Sequence, residues 1–391
     1  MRILSYGRFR QLLIFTGLVS TSSLAMATNG AMLTGNGPAA SGMGGVSIAL
    51  PQDATAAADN PAGMADVGTR VDLYGVTLVA ASNSAFGSPE NHLFGRVIMP
   101  SPGFGFNYQV APQWTFGVSV TGAGLDTDYG RPALPLPDAG IAKASLIVVN
   151  TSPTVTYKPL PNLAIGASLI LGLQEFRASG VLGAGPDGPI ALESHGNSWA
   201  GGVGAATGVL WTPVHGVNVG ASYYTKTFFT PLSGYKDDLL STSGGHLDSP
   251  SRYGVGISIN PISGLTLAAD YMRILWGGAA GYNNPAFDWH DQNVVRVGAA
   301  YAINERWTVR VGYSVASSYF DSNHTLGNFY ANGIDDHAVT AGVTYSLNPR
   351  DALTLAVEYG IPRTVTGTGP STGTNISTNF QAYTLGYSHK F

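Results

Sequence analysis

The stretch WTVRVGYSV, residues 307–315, decides the fold. Trp307, Val309, Val311, Tyr313 and Val315 fall on one face of an extended chain, and Thr308, Arg310, Gly312 and Ser314 on the other, because successive side chains of a strand point to opposite sides. The same period runs through AVTAGVTYSL (338–347), where Val339, Ala341, Val343, Tyr345 and Leu347 alternate with Thr340, Gly342, Thr344 and Ser346. In VVRVGAAYAI (294–303), Val295, Val297, Ala299, Tyr301 and Ile303 oppose Arg296 and Gly298.

Working outward, the alternation predicts fourteen strands near 68–83, 101–111, 113–122, 143–158, 161–177, 198–212, 216–229, 250–260, 264–276, 290–303, 306–319, 334–347, 351–361 and 378–391. Their connections alternate between short turns rich in Pro and Asn and long Gly/Pro/Asp/Ser loops, six of the first and seven of the second. An even strand number with short turns at one end and long loops at the other is the pattern of an outer-membrane barrel. The expected fold is therefore all-β, a 14-stranded antiparallel transmembrane barrel over residues 68–391. Its apolar, Tyr-rich face meets lipid and its Gly/Ser/Thr/Arg face lines the interior, with Trp114, Trp211, Trp307 and Tyr387 as an interfacial girdle.

Composition agrees. Charged residues make up 11% of the chain, against about a quarter in a soluble domain, too few to coat a water-facing surface. After the N-terminal segment no apolar run reaches the roughly 18 residues of a membrane helix. There is no cysteine, so disulfides, thiolate nucleophiles and Cys-based metal sites are excluded, and a net charge of −4 offers no footprint for nucleic acid. No metal or cofactor is expected.

Residues 1–27 read as a cleaved secretory signal peptide: Arg2, Arg8 and Arg10, an apolar run from Leu12 to Val19, and Ala25-Met26-Ala27 before the expected cut. Between it and the first strand lie residues 28–67, Ala-rich and without strand period. A fourteen-strand lumen is wider than its own side chains can fill, so this segment is read as an N-terminal hatch that plugs it.

The order of SGMGG (41–45), DATAAADNPAGM (53–64) and then a barrel ending on Phe391 resembles the FadL/TodX family of outer-membrane transporters for long-chain fatty acids and hydrocarbons. Asn60, Pro61 and Ala62 match its hatch motif. Gly45 stands where the family often has a basic residue, and Gln52-Asp53 where an acidic pair is common. The resemblance implies passive uptake of a hydrophobic small molecule, long-chain fatty acids first, with capture among extracellular loops and transfer to a lumenal site touching the hatch. Release follows by hatch movement or lateral wall opening. It also implies outer-membrane lipid around the barrel and an assembly machinery that reads the C-terminal strand.

A fatty acid carboxylate calls for a positive partner. By strand parity Arg296 and Arg310 face the interior; by the resemblance Arg177 and His290 fall near basic ligand contacts. Interior arginines can instead pair with interior acids such as Glu358 or Asp270, and His290 can be a solvated loop residue. Met32, Leu33, Met43 and Met64 could touch ligand or simply pack the plug. Gly117, Gly122 and Gly124 are candidates for a broken strand beside the hatch. The alternatives are a general diffusion porin, against which sparse interior charge and the plug argue, and an outer-membrane hydrolase. The hydrolase would need more than the acid–His neighbours of DWHD (288–291) and DDH (335–337), since adjacent strand residues face opposite ways. No enzyme activity is expected.

Overall fold

In the computed structural model, which describes residues 29–185 and 188–391, the period-two segments form fourteen barrel strands. The expected signal segment and Thr28 lie outside the described residues. The strands are β1 (Arg70–Ala85), β2 (His92–Ala111), β3 (Trp114–Asp128), β4 (Lys143–Leu160), β5 (Leu163–Ser179), β6 (Ser198–Val214), β7 (Val217–Tyr224), β8 (Arg252–Ile262), β9 (Leu265–Ile274), β10 (Gln292–Ala302), β11 (Trp307–Ala316), β12 (His337–Ser346), β13 (Asp351–Thr366) and β14 (Asn375–Lys390). Each pairs antiparallel with its chain neighbour, and β1 also pairs with β14 from Arg70↔Lys390 to Ala85↔Asn375. The sheet thus closes on itself, the arrangement a bilayer demands of strands.

Of the strand boundaries that differ from the sequence reading, three bear on the site. Strand β2 begins at His92 rather than near 101, because Pro100 and Pro102 lie within a strand that is paired on its β1 side. Strand β3 runs on to Asp128 through Gly122 and Gly124. Strand β7 ends at Tyr224, where the chain leaves the wall and touches it again only at the two-residue rung Phe228–Phe229 against β6.

The outer face is the apolar one. Leu171, Leu173, Val255, Val311 and Leu385 are exposed, while on the opposite parity Ser314, Thr340 and Arg296 are buried. Trp307 and Tyr345 pack as cross-strand partners at 4.6 Å, as do Trp114 and Tyr157, all beside the short turns. They form one aromatic girdle.

Inside the barrel lies the segment 29–67, folded as one α-helical turn (Pro38–Ser41) and two 3₁₀ turns (Ala56–Ala58 and Pro61–Asp66). Its backbone groups are met by wall side chains around the lumen. The Gly44 N–H donates to Thr340 (2.7 Å), those of Ser47 and Ile48 to Asp270 (2.8 and 3.1 Å), and that of Ala54 to Asp72 (2.7 Å). Asn107, Thr156, Tyr224 and Arg252 donate to the carbonyls of Met64, Pro61, Ala57 and Ala58. A buried irregular backbone needs such partners, and the inward polar parity of the wall supplies them.

Candidate functional site

The Asn60-Pro61-Ala62 step is a wall anchor. Asn60 caps the turn that follows by accepting from the Ala62 N–H (3.0 Å), and its amide donates to Ile48 O (2.8 Å) and to Val209 O on β6 (3.0 Å). It can reach β6 only because residue 208 is glycine: a Cβ there would stand 2.0 Å from Asn60 Oδ1. Gly45 also has a structural reason to be glycine, since its φ is +84° and a Cβ would lie 2.1 Å from Thr34 O. No basic residue fits there, and Arg296 of β10 reaches in instead to donate to Gly45 O at 3.0 Å. Beside Gln52-Asp53 a wall acid serves, Asp72, held by the Nε and Nη2 of Arg70 (2.7 and 2.6 Å). Burial, with Asp72 nearby, raises the Asp53 carboxyl to about 6.

Toward the long loops an apolar cavity of about 190 Å³ opens, lined by Leu125, Leu146, Phe176, Tyr282, Trp289 and Tyr330 among others. An apolar cavity of about 150 Å³ already accommodates a benzene ring. Its floor is an aromatic nest: Tyr282 and Trp289 lie 4.5 Å apart, Trp276 and Trp289 4.8 Å, and Trp289 and Tyr319 4.1 Å. The Trp289 indole N–H is bonded to Asn328 Oδ1 (2.6 Å) and the Tyr319 hydroxyl to Gly333 O (2.9 Å), so polar tips are satisfied and ring faces remain for a ligand.

Beneath Tyr282 is a second chamber of about 80 Å³ against the plug, bounded by Met32, Leu33, Asp59, Asn150, Trp276 and Arg296. A smaller one of about 50 Å³ lies beside it, under Leu33, Asp335 and Glu358. Leu33 also borders a cavity of about 110 Å³ at the barrel wall, between Met99–Pro102 of β2 and Val120–Gly124 of β3.

That wall cavity marks a gap in the sheet. Strands β2 and β3 pair from Ala111↔Trp114 to Phe104↔Val120 and no further, yet β2 stays paired to β1 up to His92 and β3 to β4 up to Asp128. Pro100 and Pro102 bring no N–H to that edge, and Gly124 carries a φ of +154°. At the rim the strands meet again: a Cβ on Gly95 would touch Asp128 O at 2.5 Å, and Arg131 bonds His92 O. The result is a bounded opening. Lipid tolerates no free strand edge, which makes an unpaired stretch of wall an unusual feature of this barrel.

The residues singled out from the sequence separate cleanly. Met32 and Leu33 border the cavities, whereas Met43 and Met64 are fully buried plug anchors; Met64 fills the space that Gly117 leaves in a regularly paired part of β3. Gly122 and Gly124 lie in the gap. Arg177 is exposed on β5, in register with Ser145 and Asp126 across β4 and β3, and is not among the residues that line the cavities described above. His290 is exposed in a loop, its Nδ1 3.9 Å from Asp288. Arg296 and Arg310 do face inward, and both serve the plug: Arg310 donates to Gln52 (3.2 Å) and Thr344 (2.7 Å), and Arg296 sits among Asp59, Asp270 and Glu358. Sequence reasoning missed the aromatic nest, although Trp289 stands inside the very DWHD stretch examined for its histidine.

Residues 172–361 match the sequence model of the Gram-negative porins, a stretch from β5 into β13 that leaves out the plug. No curated protein sequence matches the chain. Among solved structures, the toluene transporter TodX of Pseudomonas putida aligns at a TM-score of 0.72 and 20% identity, over 93% of this chain and 100% of that one. A FadL homologue of Pseudomonas aeruginosa aligns at 0.69 and 15%, over 93% and 100%, and the Ralstonia pickettii toluene transporter TbuX at 0.66 and 18%, over 92% and 99%.

Proposed function

From a chain that has the fold of the FadL/TodX channels and is an outer-membrane β-barrel, we propose a passive channel for hydrophobic small molecules. A molecule is captured in the aromatic pocket under the loops, passes Tyr282 into the chamber against the plug, and leaves past Leu33 through the opening between β2 and β3. The observation that supports this route is that neighbouring cavities share lining residues, Tyr282, then Leu33, then Gly122 and Gly124. Each methylene moved from water into such a route contributes about 0.8 kcal/mol, so the gradient alone drives entry and no catalytic group or cofactor is required.

The geometry favours uncharged cargo over long-chain fatty acids. Arg70 is paired with Asp72, Arg252 donates to Ala58 O and lies 3.9 Å over the Tyr224 ring, and Arg296 and Arg310 hold the plug. A carboxylate entering the chamber would meet Asp59 and, behind Arg296, Asp270 and Glu358. The porin reading has the partial family match in its favour and is separable by flux. Expressed in the outer membrane of whole cells the protein should speed p-xylene uptake, while vesicles holding the purified protein should exclude arabinose; rapid arabinose entry with no effect on p-xylene uptake would make it a general diffusion porin.

A further inference from the structure

The chamber against the plug is not simply greasy. Four buried polar atoms on its lining have no hydrogen-bond partner among the described residues: Asn29 Oδ1, Asp59 Oδ2, Asn150 Oδ1 and Arg296 Nε. Asn29, Asp59 and Arg296 are 1%, 7% and 3% exposed, and the remaining polar atoms of these groups are partly engaged, Asn29 Nδ2 with Leu33 O, Asp59 Oδ1 with Asn36, and Arg296 Nη1 with Gly45 O. Buried groups left this way cost free energy unless something completes them, and they come together in one chamber on the proposed route. The smaller chamber beside it holds two more such atoms, Asp126 Oδ1 and Asp335 Oδ1, both acceptors when ionised, whereas in the aromatic nest the polar tips of Trp289 and Tyr319 are already satisfied.

We propose that this chamber recognises a hydroxyl group, and that the preferred cargo is an apolar molecule carrying one, an alcohol or a phenol. The inference rests on the hydrophobic-channel reading and names the substrate class within it. A hydroxyl both donates and accepts: its proton goes to an amide or carboxylate oxygen of Asn29, Asn150 or Asp59, and its oxygen takes the Arg296 Nε–H. A carboxylate only accepts, so three of the four orphaned atoms repel it. A hydrocarbon answers none of them and must strip the chamber of whatever water completes them. The apolar body of the cargo lies along Met32, Leu33 and Trp276.

The test is equilibrium binding of three probes matched in size, p-cresol, p-toluate and p-xylene, to the purified protein and to its Asn150→Leu and Asn29→Leu variants. Asn150 makes no side-chain bond that the leucine would remove from the wall, and the heat-dependent gel shift of an intact barrel checks folding of each variant. For the unaltered protein p-cresol should bind at least about tenfold more tightly than p-xylene, the effect of one or two hydrogen bonds to otherwise unpaired groups, with p-toluate weakest. In the folded leucine variants the p-cresol preference should collapse while p-xylene binding holds or improves. Equal binding of p-cresol and p-xylene, tightest binding of p-toluate, or a preference untouched in both variants would overturn the inference and leave the hydrophobic channel standing. Failure of all three probes to bind would remove the channel reading along with it.

Discussion

A Cβ on Gly122 of β3 would stand 3.5 Å from the Cβ of Ser101 on β2, across the stretch of wall where the two strands do not pair. That separation lies within the range a disulfide spans, and the chain has no cysteine of its own to interfere. The double substitution Ser101→Cys/Gly122→Cys should therefore oxidise to a staple across the opening. Whole-cell uptake of p-xylene through the protein should fall at least about tenfold in the oxidised form and recover with reductant. Unchanged flux through the stapled wall would mean that cargo leaves by another way.

Asn60 joins the plug to β6 and to its own next turn through three hydrogen bonds. Asn60→Ala leaves two carbonyls and an N–H of a buried segment without partners, at a cost of about 1–3 kcal/mol for each unsatisfied group. The plug should loosen while the barrel stays closed. Planar-bilayer recordings should show a higher small-ion conductance than the unaltered protein; an unchanged conductance would show that the remaining wall contacts hold the plug alone.

Trp289 and His290 are chain neighbours with opposite fates, one 2% exposed in the aromatic nest and the other turned to solvent. Trp289→Ala should weaken binding of p-xylene by about tenfold or more, since it removes the ring face on which the outer pocket is built. His290→Ala should leave binding within about twofold. The reverse ranking would place the capture site elsewhere.

Asp335 and Asp336 lie in the loop before β12, where burial pushes their carboxyls from 3.8 up to about 7 and about 8, even though Arg363 contacts Asp336 at 2.5 Å. Acids raised in the folded state keep protons that the unfolded chain has released. Stability of this corner is thus highest at low pH, falls as pH rises from about 4 to about 8, and is level above. The same loop carries Tyr330 of the pocket and Tyr319 of the aromatic nest. Hydrogen exchange over residues 317–336 should quicken between pH 5 and pH 8, and Asp336→Asn should flatten that dependence.

The barrel was legible because lipid enforces one rule along every strand: Val309 and Val311 must be outside and Arg310 inside, whatever their neighbours do. The opening was not, since Pro100 and Pro102 look like the end of a strand when read locally. In fact they end only the ladder to β3 and leave that to β1 intact. For the site, Asn60-Pro61-Ala62 could be picked out because its geometry is local, a cap followed by a turn. Arg177 shows the opposite case. The run Leu169, Leu171, Leu173 already sets the outward parity that carries Arg177 to the outer face, and a position inferred from resemblance alone missed it. The aromatic nest arises from loops 275–291 and 317–336, brought together only by closure of the barrel, and no single stretch encodes it.

The seam between β1 and β14 joins residues 290 to 320 positions apart, and the Phe391 N–H completes it by bonding Thr69 O at 3.1 Å. The segment 29–67 leads directly into β1 from the inner side. The final strand must therefore be delivered before the cylinder can shut around that segment. A chain truncated before Asn375 should leave residues 29–67 open to protease, whereas the full-length protein should protect them.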